Sequence, residues 1–142
     1  MKITLLFFAL FLGVVLSSAS ATTVTSVASS NHKEHAVATF NEPVRLLGVV
    51  LKGEYLFVHD DAAMMRGEVC TFVYKGVIES PDNLVISFHC IPESRTKVAS
   101  FTVRTKQVLP GFNEVEEIQF AGSTEAHVVP MLHGHTVLLT GV

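Results

Sequence analysis

The chain reads as an all-β domain, an antiparallel β-sandwich or barrel of seven to eight short strands with one cross-strand disulfide. Three observations predict it. Apolar and polar residues alternate with period two in run after run, the pattern of a half-buried strand. Turn clusters of Gly, Pro, Asn, Asp and Ser recur about every ten residues. No persuasive long helix separates the runs, so alternating βαβ units are excluded.

The 142 residues open with Lys2, an apolar run from Ile3 to Leu16, and Ala19-Ser20-Ala21. A charged start, a short apolar stretch and an A-x-A site predict a signal peptide over residues 1–21, removed before Thr22. The apolar run is shorter than the roughly 20 residues of a membrane-spanning helix, and no second long run exists. A secreted or periplasmic location follows, with no membrane span after cleavage. Ten basic residues stand against 13 acidic ones. A mildly acidic chain lacks the electrostatic footprint for nucleic acid.

Residues 22–38 carry few large apolar groups and read as a flexible leader before a single β domain over 39–142. His32 and His35 read as part of a solvated polar cluster. Val44 to Leu51 is strongly apolar, and Lys52-Gly53 followed by Glu54 to His59 predicts a hairpin. Tyr55, Phe57 and His59 share one face of its second strand; Leu56 and Val58 take the other. Asp60 or Asp61 caps a helical turn that Gly67 ends. Arg66 pairs with Glu68.

A second hairpin joins Glu68–Lys75 to Leu84–Cys90 across the turn cluster Ser80-Pro81-Asp82-Asn83. Its apolar alternation sets Cys70 opposite Cys90, Phe72 opposite Phe88 and Tyr74 opposite Ile86. Two cysteines in an exported chain predict a Cys70–Cys90 disulfide worth ~3 kcal/mol. Pro92 stops ladder pairing. Val98 to Arg104 alternates, with Ala99, Phe101 and Val103 inward. Pro110-Gly111 marks a turn. Strands over Val115–Phe120, His127–Val129 and Thr136–Thr140 complete the count.

The strings Gly48-Val-Val-Leu-Lys-Gly-Glu-Tyr55, Phe57-Val-His59-Asp60-Asp61, Arg66-Gly67-Glu68-x-Cys70-Thr71 and Ser87-Phe88-His89-Cys90 resemble a group of small exported bacterial hypothetical proteins. The resemblance spans roughly residues 43–128. It implies a bacterial, exported, β-rich protein and carries over no site residue and no activity.

Three constellations hold chemistry-bearing side chains. His59, His89, Met131, His133 and His135 offer imidazole and thioether donors suited to copper or zinc. Against them, no H-x-x-x-H or C-x-x-C spacing occurs, and the predicted disulfide removes both thiols. Asp60, Asp61 and Glu68 beside His59 form an acidic loop suited to acid–base work or to an oxygen-liganded cation, although a capped turn with solvated acids accounts for them better. Ser123, Glu125 and His127 place hydroxyl, acid and imidazole near one another without a nucleophile elbow. Arg95, Lys97, Arg104 and Lys106 are balanced by acids and read as a solvated face.

The expected function is therefore a non-catalytic binding or envelope-associated module without a cofactor, with an envelope protein or a glycan as partner. The alternatives are a periplasmic copper or zinc binder and a weak hydrolase that uses His59 with Asp60 or Asp61.

Overall fold

Period-two burial begins earlier than the large apolar residues suggest. In the computed structural model, which describes residues 32–130, strand β1 spans Lys33–Leu46. Glu34, Ala36, Ala38 and Phe40 turn inward and their neighbours face solvent. Residues 33–38 thus belong to the domain and not to a leader. Small alanines satisfy the inward positions, which is why the stretch looks featureless as sequence.

Seven more strands follow: β2 Val49–Asp60, β3 Thr71–Lys75, β4 Leu84–Phe88, β5 Ile91–Ser94, β6 Thr102–Leu109, β7 Phe112–Gln119 and β8 Glu125–Val128. One short helix, α1 Asp61–Met65, links β2 to β3. The strands form one curled sheet, a half-barrel, in the order β4-β3-β2-β1-β7-β8-β5, with β6 paired to β7. The sheet is mixed, because β1 and β7 run parallel at Val44–Asn113 and Arg45–Glu114. Of the expected antiparallel sandwich or barrel of seven to eight strands, the strand count holds, and the strands form this single curled mixed sheet.

The first hairpin turns at Leu47-Gly48, not at Lys52-Gly53. Both turn residues have positive φ, 48° and 86°, as a two-residue turn matched to strand twist requires. Gly53 instead lies inside β2 opposite Phe40, beside the register shift between Phe40 and Val44. Helix α1 starts as expected: Asp60 accepts a hydrogen bond from the Ala63 amide at 2.9 Å. Pro92 lies within β5 and not beyond a strand end. β5 is an edge strand paired to β8 alone, where a missing N–H is tolerated. β6 begins four residues later than the alternation from Val98 suggests, and Phe101 packs inward ahead of it.

The central hairpin departs from its expected register by one residue. Thr71 pairs with Phe88 and Phe72 with Ser87. A one-residue slip exchanges faces. Thr71, Val73, Ile86 and Phe88 therefore line the core, while Phe72 and Tyr74 join Leu56 and Val58 on the other face. The main core sits inside the curl around Leu46, Leu51, Phe57, Val73, Val115 and Ile118.

β4 and β5, the opposite ends of the sheet path, are consecutive in sequence. Only His89 and Cys90 lie between them. The curl is drawn toward closure at that joint.

Candidate metal centre

The joint gathers side chains from four parts of the chain. His59 comes from the end of β2, Cys70 from the entry to β3, Cys90 from the joint itself and His127 from β8. The period-two pattern of β2 that buries Tyr55 and Phe57 also buries His59. In β8 the same pattern turns His127 inward. Both rings are sealed from solvent, at 0% and 1% exposure.

The Cys90 sulfur lies 3.5 Å from His127 Nδ1 and 3.8 Å from His59 Nδ1. The ligand atoms of His59, Cys90 and His127 all fall within 4.8 Å of one another. Zinc bonds of about 2.3 Å to sulfur and 2.0–2.1 Å to nitrogen set S···N edges of roughly 3.5 Å in a tetrahedron and 3.8 Å in a trigonal plane. The observed edges match that range. The Cys70 sulfur adjoins the group, 3.3 Å from that of Cys90 and 3.5 Å from His89 Nδ1. Both cysteines are buried free thiols. The expected disulfide is not formed in this structure, although its two sulfurs are neighbours.

The two imidazoles stack with ring centroids 3.8 Å apart. Their Nε2 edges look away from the sulfurs, and both Nε2 atoms are buried without a hydrogen-bond partner. Asp61 Oδ1 stands 3.2 Å from His59 Nε2 but off its hydrogen-bonding direction, and Glu34 Oε2 stands 3.7 Å from His127 Nε2. His59 Nδ1 and the Thr71 hydroxyl are 3.3 Å apart.

Burial dominates the electrostatics. It lowers the pKa of His59 to about 4, against a smaller upward pull from Asp60. Burial likewise lowers His127 to about 4, helped by the facing His59 ring. It pushes the Cys90 thiol up to about 12. Burial also raises the Glu34 and Glu125 carboxyls, and the charge of Asp61 adds to both shifts. The rings are therefore neutral and available as donors, and a thiophilic ion must displace the Cys90 proton.

Of the residues expected to hold metal, His59 lies at the centre. His89 is exposed and touches only the Cys70 edge of the group. Met131, His133 and His135 lie outside the described residues. The acidic loop is dispersed: Asp60 caps α1, Asp61 faces His59, and Glu68 forms an exposed ion pair with Arg66 at 2.8 Å. Of the hydrolytic groupings, His59 does meet Asp61, 3.2 Å away. His59 has no contact with solvent, the Ser123 hydroxyl is engaged with the backbone of Glu125, and His127 turns to Cys90.

Sequence reasoning missed His127 as a donor. Its signal was a histidine in phase with Val129 on the inward face of a strand.

No protein-family model, curated protein or solved structure matches this chain. Among the described residues, no helix is long and apolar enough to cross a membrane.

Proposed function

We propose that the protein binds copper or zinc through His59 Nδ1, Cys90 Sγ and His127 Nδ1, with Cys70 as the nearest candidate for a fourth donor. The convergence of three buried donors from β2, β8 and the β4–β5 joint carries this reading. Two imidazoles and a thiolate suit copper and zinc and not calcium or magnesium, which take oxygen. Export, expected from residues 1–21, would put such a site in an envelope compartment. An envelope protein or a glycan remains the proposed partner of the surface.

Cobalt(II) titration of the reduced full chain tests the reading. A 1:1 complex with thiolate-to-metal absorption is expected, and Cys70→Ser/Cys90→Ser should abolish that absorption. If native mass spectrometry finds no zinc, copper or cobalt at micromolar supply while both thiols are reduced, the reading fails.

A second reading rests on the 3.3 Å separation of the two sulfurs. An oxidant such as a small-molecule disulfide would take two electrons and two protons from Cys70 and Cys90 and leave the sulfurs bonded. The 20-residue spacing gives a staple worth ~3 kcal/mol. That state excludes the metal site, because the bonded sulfur no longer offers a thiolate. Equal denaturation midpoints with and without reductant in the metal-free protein would dispose of it.

A further inference from the structure

The stacked rings of His59 and His127 have two working edges. Their Nδ1 edges face sulfur inside the curl. Their Nε2 edges face Asp61 and Glu34, whose side chains are 28% and 17% exposed and so reach solvent. Glu125 lies close enough to Asp61 to feel its charge. His32 Nδ1 stands 3.6 Å from Asp61 Oδ2 on the outer side.

We propose that His59 Nε2, His127 Nε2, Asp61 and Glu34 form a second, outer cation position, at which the partly exposed carboxylates capture a divalent transition ion before it passes to the sulfur side. The assignment rests on the metal-binding reading in one respect, that these histidines ligate metal. Two fully buried nitrogens without hydrogen-bond partners, 3.2 Å and 3.7 Å from the oxygens of two carboxylates, are the independent observation. Oxygen and imidazole donors suit an incoming divalent ion, whereas thiolate suits it once it has shed its water. A neutral imidazole offers one lone pair. Each ring therefore serves one edge at a time, and the two positions are occupied in sequence.

The test uses the reduced full chain with cobalt(II) as probe. Asp61→Asn/Glu34→Gln should slow the appearance of thiolate–cobalt absorption roughly tenfold at low salt, the scale of electrostatic capture, and leave the final spectrum unchanged. In the wild type the same rate should fall as salt rises, a measurement that needs no variant. Cys70→Ser/Cys90→Ser should still bind one cobalt without charge-transfer absorption, and adding the two acidic substitutions should remove it.

The inference is overturned if the cysteine-free variant binds no cobalt. It is also overturned if the acidic variant fills at the wild-type rate, or if its final spectrum shifts at an unchanged rate, which would make the carboxylates ring-positioning groups. Cobalt held by the cysteine-free variant, with no thiolate absorption in the wild type, would remove the sulfur reading and leave the outer position standing.

Discussion

Two buried regions share the inside of the curl and behave by opposite rules. One is aromatic. Phe40, Phe57, Phe101 and Phe120 run as a chain of tilted and edge-on rings 5.1–6.3 Å apart. The other is the polar group of His59, Thr71, Cys70, Cys90 and His127 at the β4–β5 joint. Phe120 borders both, 5.8 Å from the His127 ring. Burial alone stabilises the aromatic region. At the joint, burial penalises protonated imidazole and ionised thiol alike. The lesson is that half of this interior is stable unconditionally, and half depends on pH, redox state and what is bound.

The largest expected effect comes from acid. The unfolded histidines titrate near 6.5 and the folded ones near 4, so the unfolded state binds more protons between those values. Stability of the metal-free protein should be complete above pH 6.5 and fall as pH drops toward 4, by on the order of 3 kcal/mol per ring. Urea midpoints across that window measure it. A flat profile would mean that the rings are hydrated and that the contrast between the two regions is lost.

Phe57→Ala comes next. It should cost about 3–5 kcal/mol at any pH, with or without metal. A loss that varied with metal supply would show the two regions to be one energetic unit. Asp60→Ala should then cost about 1 kcal/mol through the α1 cap, read as a modest drop in melting temperature. His89→Ala sharpens the contrast at the smallest scale. It is expected to leave the cobalt spectrum unaltered, since His89 is exposed and lies on the far side of Cys70.

Much of the strand pattern was legible because β2, β3, β4 and β7 carry large apolar and β-branched residues in short runs bounded by turn clusters. The first half of β1 was not, since Ala36 and Ala38 fill its inward positions without a hydrophobic signature. The central register was misread for a physical reason. Cys70 is buried before β3 begins, so Cys70 and Thr71 are both inside and the alternation restarts one residue later. The sulfurs still meet, because the Cys70 amide donates to the Phe88 carbonyl at 3.3 Å and the chain reaches Cys90 directly from β4. Only half of the candidate site could be read. His59 was marked by its strand face. His127 needed the order β7-β8-β5, which brings β8 beside the joint and which no local pattern encodes.

The joint of His89 and Cys90 has a mechanical consequence. A half-barrel can gape by letting its first and last strands drift apart, but here those strands are tethered by two residues, and Cys90 on the tether reaches donors on both sides of the gap. A bound ion would act as a clasp at the lip. Its departure should loosen β4 and β5 together, so that amide hydrogens on both margins begin to exchange as one cooperative event while those of β2 remain protected.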